Sequence, residues 1–274
     1  MDEKQKIIRA GIVILIVIVL GISAYYYFFS SRNKTVEGGV PPLQADRKES
    51  SLPEVKEISA STPLAAPLDA SDESVRSLIG EISRNPVLAR WLRSKDLLRR
   101  FAAAVDNISL GQSPRNQFDF FVPAGPFKTI QRSGRSYLDP ASYSRYDVIA
   151  DVFDSLSSEG CARAYGMCRE LLQQAYRELG YPSGDFHQTL DRAIVVILRT
   201  PVVEEAIAVE KDISTYIFTD SGLEGLNDVQ KHLIRMGPEN LQLIQVKLRE
   251  IALALGFTDT QLPLPRPYRK RPRP

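Results

Sequence analysis

Residues 159–179, EGCARAYGMCRELLQQAYREL, decide the fold class of this chain. The stretch has the apolar spacing of an α-helix, and Gly180 and Pro182 follow it. Glycine and proline at such positions commonly end a helix. We therefore predict one long helix here and, around it, a mainly α-helical domain.

Both cysteines of the chain, Cys161 and Cys168, lie inside this predicted helix. Seven residues of helix separate two Cα atoms by about 10 Å, which exceeds the ~7 Å limit for a disulfide. We expect two small thiols that are buried or half-buried. A break of the helix at Gly160 or Gly166 would permit a bridge, so the redox state stays open.

Helical periods with their own start and stop signals continue on both sides of this stretch. Asn85 and Asp139 each precede a proline, which suits a capping residue followed by the first helical position. Ser94 is a further candidate cap. The predicted helices begin at residue 86 and span residues 94–111, 139–156, 185–199, 228–236 and 238–255. Residues 127–138 surround the turn dipeptide Ser133-Gly134 and predict one small β-hairpin.

The most apolar stretch is residues 11–29, GIVILIVIVLGISAYYYFF, which contains no charged residue. As a helix it is about 28 Å long, close to the ~30 Å hydrocarbon thickness of a bilayer. We predict that residues 1–30 form a short cytoplasmic tail and a single transmembrane helix in the lipid bilayer. Lys4, Lys6 and Arg9 favour a cytoplasmic N-terminus and a domain on the other side. Cleavage as a signal peptide near Ser23-Ala24 is the alternative.

Two segments flank the predicted domain, which we assign to residues 72–258. Residues 31–71 lack hydrophobic periodicity and are rich in Ser, Glu, Lys and Pro, so we predict a disordered linker. Residues 259–274 form a Pro-rich tail, for which polyproline II is expected. Its cations are Arg266, Arg269, Lys270, Arg271 and Arg273. They are either a solvated end or a group that is attracted to anionic lipid headgroups or other envelope polyanions.

The densest cationic cluster within the predicted domain lies beside Trp91. Its members are Arg90, Arg93, Lys95, Arg99 and Arg100. One interpretation is a solvated helix face. The other is an anion-binding patch of Arg90, Arg93, Arg99 and Arg100 at the start of a helix, where amides and guanidinium groups converge.

No pattern of catalytic or metal-binding residues stands out in this sequence. His187 and His232 are its two histidines, and neither has a second ligand at metal-binding spacing. Glu204 and Glu205 are adjacent, so their carboxylates point apart on regular structure. Nucleotide-binding, hydrolase and metalloprotease motifs are absent. We predict no enzymatic activity, no cofactor and no metal.

Several strings are similar to an uncharacterised bacterial family, the domain of unknown function 3014. They are residues 90–92 (RWL), 97–101 (LLRRF), 105–107 (VDN), 139–143 (DPASY), 145–147 (RYD), 173–182 (QQAYRELGYP), 235–240 (RMGPEN) and 247–251 (KLREI). The resemblance covers essentially the whole predicted domain. It implies a protein of the Gram-negative inner membrane with its domain in the periplasm, and it brings no catalytic residues.

Three functions are compatible with these features. The first is a membrane-anchored periplasmic interaction or scaffold module that binds a protein or an envelope polymer. The second is a cell-wall-directed hydrolase whose site is built from distant carboxylates. The third is an anchored protein that faces the cytosol and binds anions through its tail. Acidic and basic residues nearly balance over residues 72–257, so no nucleic acid is expected as a partner.

Overall fold

The structure, a computed structural model, describes residues 62–117, 125–213 and 215–269. The predicted transmembrane helix at residues 11–29 lies outside these ranges, as does most of the predicted linker. Within them, no helix combines the length and the apolar character that crossing a bilayer requires.

Helices make up most of the described chain, which confirms the predicted mainly α fold. The α-helices are α1 (Asp72–Gly80), α2 (Pro86–Trp91), α3 (Leu97–Ser109), α4 (Asp147–Asp154), α5 (Ser158–Glu178), α6 (Phe186–Leu198), α7 (Ser221–Glu224), α8 (Asp228–Arg235) and α9 (Pro238–Ala254). Short 3-10 helices lie at Leu68–Ala70, Pro114–Asn116 and Pro140–Tyr146. The segment after Asp139, which we predicted as one α-helix, is therefore a 3-10 helix that continues into α4.

A small antiparallel sheet accompanies the helices. Its strands are β1 (Thr129–Arg132), β2 (Arg135–Leu138), β3 (Ala208–Lys211) and β4 (Tyr216–Phe218), in the order β1-β2-β3-β4. The predicted hairpin is β1-β2, which turns at Ser133-Gly134 with positive φ angles at both residues. The prediction was incomplete because a second hairpin, β3-β4, joins the first through Ser136↔Val209 and Tyr137↔Ala208.

The packed region extends past both boundaries that we drew for the domain. Leu64 and Leu68, which we placed in the linker, contact the core formed by α3, α5 and α6, and Leu64 N donates to Met167 O over 2.9 Å. Leu262, which we placed in the tail, is buried in the same core.

Both cysteines are free thiols, as predicted, and both lie on α5. Cys168 is buried and Cys161 is half-buried. Burial raises the pKa of each thiol to about 11, so neither is a thiolate at neutral pH.

The start of α3 is capped by a residue from a different helix, so our assignment of Ser94 as the cap was wrong. Asp96 holds the N-cap position with a left-handed backbone, φ 57°, and its own side chain makes no capping bond. The carboxylate of Asp72 on α1 instead accepts hydrogen bonds from Asp96 N and Leu97 N, both at 2.9 Å. A cap supplied from α1 has no local sequence signature.

Two buried amide side chains tie α9 to its neighbours. Asn240 Nδ2 donates to Tyr143 O, Asp147 Oδ1 and Met236 O. Gln245, which is only 1% exposed, donates through Nε2 to Thr200 O at 2.9 Å and to Ile197 O at 3.0 Å. These acceptors include carbonyls at the C-terminal ends of α8 and α6, where the last turn of a helix leaves carbonyls without an amide four residues later. Ile197 O also accepts a hydrogen bond from Thr200 N at 3.1 Å.

Replacement of Asp72 by Ala tests the cap supplied by α1. We expect Asp72→Ala to lower the free energy of unfolding by about 1–2 kcal/mol, because two amides at the start of α3 lose their acceptor. Urea unfolding followed by circular dichroism measures the change. Glu73→Ala removes the adjacent, exposed carboxylate and should cost less than about 0.5 kcal/mol. Equal losses in the two variants would contradict the assignment.

Candidate functional site

One cavity among the described residues is an open groove of about 770 Å³ between α5 and the loop that leads into α6. We call it the α5 groove. Its α5 side is lined by Tyr165, Arg169, Glu170, Gln173 and Arg177, and its loop side by residues 182–187. Tyr165, Arg169, Gln173 and Arg177 follow one another at intervals of four, the spacing that places side chains on one helix face.

Gln173 fastens the loop side of the groove to α5. Its Oε1 accepts a hydrogen bond from Phe186 N at 3.0 Å, and its Nε2 donates to Gly184 O at 2.8 Å. Gly184 lies so close to α5 that an added Cβ would stand 2.8 Å from the ring of Tyr176. Phe186 is 1% exposed and anchors the first turn of α6 in the core. The groove therefore has two fixed walls.

The carboxylate of Asp185 caps the start of α6. Its Oδ1 accepts from His187 N at 2.7 Å and from Gln188 N at 3.4 Å, the geometry of an N-cap. Of the two acidic residues that line the groove, Asp185 and Glu170, the first is thus committed to the fold. Among the described residues that line the groove, Glu170 is the acid that is not used as a helix cap, whereas glycoside hydrolysis uses two facing carboxylates.

His187 is held as a neutral imidazole at the edge of the groove. Its Nδ1 shares a hydrogen bond of 2.9 Å with the hydroxyl of Tyr165, and its ring stacks on Phe257 with centroids 4.9 Å apart. Burial lowers the pKa of His187, and the positive charge of Arg169 lowers it further. The cations of the groove at neutral pH are therefore Arg169 and Arg177.

A second cavity of about 390 Å³ lies between the sheet and the start of α7. Its aspartate, Asp220, accepts from Gly222 N, from Leu223 N and from the hydroxyl of Tyr268. This carboxylate is a helix cap as well. In the described part of the chain, no group of three or more His, Cys, Asp or Glu side chains is arranged to hold a metal ion.

The predicted anion patch is divided among different environments. Arg99 pairs with Asp69 and Glu178 at 2.6 Å and with Asp96 at 3.3 Å, and hydrogen bonds to Glu178 and Asp69 raise its pKa above the ordinary value. Arg100 donates to the backbone carbonyls of Lys95 and Gln117. Arg90 and Arg93 are exposed near the end of α2. Arg99 is thus already neutralised by carboxylates of the protein itself.

The predicted tail is in part a component of the folded unit. Val202 N donates to Arg266 O at 3.0 Å, and Tyr268 N donates to Val202 O at 2.7 Å, so residues 266–268 lie beside residue 202 like a short parallel strand. The side chains of Arg266 and Arg269 are exposed. Lys270, Arg271 and Arg273 lie outside the described residues.

Comparison with known sequences identifies the family. Residues 97–252 match the family described as protein of unknown function (DUF3014), which is more than half of the 274-residue chain. The chain belongs to this DUF3014 family. No curated protein and no solved structure matches it. The matched residues of this DUF3014 protein include the whole α5 groove.

The groove residues were not predicted as a site from the sequence. Arg169, Gln173 and Arg177 carry the four-residue spacing of a helix face, but the same spacing is common on solvated helices. The bond from Gln173 to Phe186 depends on the path of the loop, which has no signature in the sequence. One signal in the sequence could have indicated this loop: Asp185, a residue suited to cap a helix, directly follows the turn residues Pro182, Ser183 and Gly184.

The role of Gln173 in holding this DUF3014 groove is testable by proteolysis. We expect Gln173→Ala to accelerate cleavage between residues 181 and 185 by about tenfold, because two hydrogen bonds that hold the loop are lost. Native-state digestion with proteinase K, analysed by mass spectrometry, measures the rate. The neighbouring Gln174→Ala is the control, since Gln174 only reaches Glu178 at the surface. A faster cleavage in both variants, or in neither, would argue against the clamp.

Proposed function

We propose that this DUF3014 chain is a membrane-anchored interaction module that binds a protein or an envelope polymer through the α5 groove. The observation that carries the proposal is the chemistry of that groove, which is open and is lined by Arg169 and Arg177 together with Glu170 and Asp185, the last of which caps a helix. Such a surface suits recognition rather than bond cleavage.

The groove suits a partner that carries repeated acidic groups. Arg169 and Arg177 stand eight residues apart on α5, or about 12 Å along the helix. The N-terminal end of α6 forms the opposite wall, and the carboxylate of Asp185 already caps it. Glu170 lies between the two arginines in sequence and provides an acceptor for a donor on the same partner. An extended acidic polypeptide or an anionic envelope polymer satisfies this arrangement.

The membrane placement is a proposal that rests on the sequence. The apolar residues 11–29 are long enough to cross a bilayer, and the basic residues before them favour a cytoplasmic N-terminus. The linker that follows would place the domain in the periplasm, within reach of the envelope polymers. A C-terminal reporter that is active only in the cytosol would contradict this orientation.

The alternative of a cell-wall-directed hydrolase needs a second acid that faces Glu170. Asp185 does not meet this need, because its carboxylate binds two backbone amides of α6. The alternative of a cytosolic, anion-binding tail relies on the exposed side chains of Arg266 and Arg269 together with the cations that follow them. The described residues offer fewer contacts in support of these two alternatives than in support of binding in the α5 groove.

Site-specific photocrosslinking in intact cells tests the proposal. A photoreactive residue at Ser183, which lies exposed in the groove, should give an adduct with the full chain. The adduct should decrease at least about fivefold when Arg169 and Arg177 are both replaced by Glu, because two charge-assisted contacts are reversed. Protease sensitivity of the adduct distinguishes a protein partner from a polymer.

Two controls define the specificity of this crosslink. Gln242 is exposed on α9 outside the groove, so a photoreactive residue there should not give the adduct. Arg163→Glu reverses one charge on α5 outside the groove and should leave the adduct unchanged, whereas Arg169→Glu alone should already reduce it. The same adduct from Gln242, or an adduct that survives the double charge reversal, would refute a partner in the groove.

A further inference from the structure

The small sheet has two edge strands, β4 and β1, and they differ in how their outward backbone groups are used. Directly after β4, Thr219 N donates to a carbonyl of β3, so Tyr216 and Phe218 point their backbone groups away from β3. Phe218 N donates to Glu224 Oε2 at 2.8 Å, and Tyr216 O accepts from Arg235 Nη2 at 3.0 Å. Side chains of α7 and α8 therefore occupy this edge, where a further strand would otherwise bind.

The opposite edge, β1, has outward backbone groups without such partners. Lys128 O accepts from Asp139 N at 3.2 Å, so Lys128 points its backbone groups toward β2. Each residue of an antiparallel strand points its N–H and C=O to one side, and the next residue points them to the other. The groups of Thr129 and Gln131 therefore point away from the sheet. Within the described residues, none of these four groups has a hydrogen-bond partner.

An edge of this kind can receive an extended segment of another chain as an added strand. The four free groups of Thr129 and Gln131 match the main chain of such a segment, whatever its side chains are. Thr129 is half-buried and Gln131 is exposed, so the edge is accessible from solvent. Selectivity must then come from the side chains that flank the edge.

These flanking side chains alternate between positive charge and apolar surface. Lys128, Ile130 and Arg132 stand on one face of β1, because the side chains of a strand alternate between its two faces. Lys128 and Arg132 are exposed, and neither forms an ion pair in the part of the chain that the structure describes. Arg132 also pairs directly with Arg135 across the hairpin. Like charges in this position repel each other, and a nearby anion relieves the repulsion.

A second copy of β1 does not suit this edge. The register that uses all four free groups would pair Thr129 of one copy with Gln131 of the other. That register places Lys128 opposite Arg132, and like charges directly opposite each other are destabilising. Charged side chains on an edge strand are a common protection against pairing with a further copy. The charge of β1 therefore favours a partner that carries acidic residues.

We propose that β1 is a docking edge for an extended acidic segment of a partner protein, which adds a fifth strand to the sheet. The side chains of β1 specify the sequence pattern of that segment. Acidic residues four positions apart face Lys128 and Arg132, and an apolar residue midway between them faces Ile130. This edge lies outside the α5 groove, and its use does not depend on a partner there.

A synthetic peptide added to the full chain tests the proposal. The fluorescent probe TETVTET carries the acidic-apolar-acidic pattern in a sequence that favours an extended backbone. The control peptide TKTVTKT has lysine in place of both glutamates. Fluorescence anisotropy should show saturable binding of the probe and at least about tenfold weaker binding of the control, because two opposite-charge pairs become like-charge pairs. The absence of saturable binding, or equal binding of both peptides, would overturn the proposal.

The variant Gln131→Pro isolates the contribution of the backbone. Proline removes the outward N–H of residue 131 but no ladder bond to β2, and edge strands tolerate proline at such positions. Gln131→Ala is the matched control, since both variants lose the side-chain bond to Ser136 Oγ and the alanine variant keeps the N–H. Gln131→Pro should bind the probe at least about fivefold more weakly than Gln131→Ala, because one main-chain hydrogen bond is lost. Equal binding by the two variants would contradict an added strand.

Two further measurements keep the proposal testable if proline disturbs the hairpin. Bound probe should slow amide exchange at Thr129 and Gln131 at least about fivefold and leave Ile130, which faces β2, unchanged. Lys128→Glu should weaken binding about fivefold, whereas Arg84→Glu, at an exposed arginine elsewhere, should not. Exchange that does not slow at Thr129 and Gln131 would overturn the proposal. So would the polysaccharide alginate if it bound as tightly as the probe, because charge alone would then explain binding.

Discussion

The fold depends on the requirement that buried backbone carbonyls find donors, and α9 supplies those donors. Asn240 and Gln245 are buried amides on this helix, and both donate to carbonyls at the ends of other helices. Arg249 extends the same function to Leu262 O and Pro263 O, which holds the segment after α9 against the domain. A helix that bonds to the ends of its neighbours fixes their relative positions as well as their contacts.

The α5 groove is a consequence of this arrangement. Its loop wall is the N-terminal end of α6, where Gln173 and Asp185 satisfy the first amides. The C-terminal end of the same helix is held by Gln245 from α9. Side chains from α5 and α9 therefore hold the two ends of α6 in position. The spacing between Arg169, Arg177 and the opposite wall follows from those bonds.

The sequence predicted those parts of the structure that depend on neighbouring residues. Asn85 and Asp139 cap helices as expected, since each accepts from an amide two residues later. The long helix at α5 and the turn at Ser133-Gly134 also follow from local preferences. These features need no knowledge of the rest of the chain.

The features that sequence reasoning missed depend on residues far apart. Asp72 caps α3 from α1, and β2 pairs with β3 across some 70 residues. Arg99 belonged to a cluster that we interpreted either as a solvated helix face or as an anion-binding patch, and Asp69 and Glu178 reach it from distant segments. Each of these groupings is a product of tertiary structure.

Hydrogen exchange of a Gln245→Leu variant tests most directly whether α9 positions the groove. Leucine has similar volume but leaves the carbonyls of Ile197, Leu198 and Thr200 without their donor from α9. The account predicts faster amide exchange at residues 199–203 and also at residues 184–188, at the far end of α6. Faster exchange confined to α9, with residues 184–188 unchanged, would contradict it.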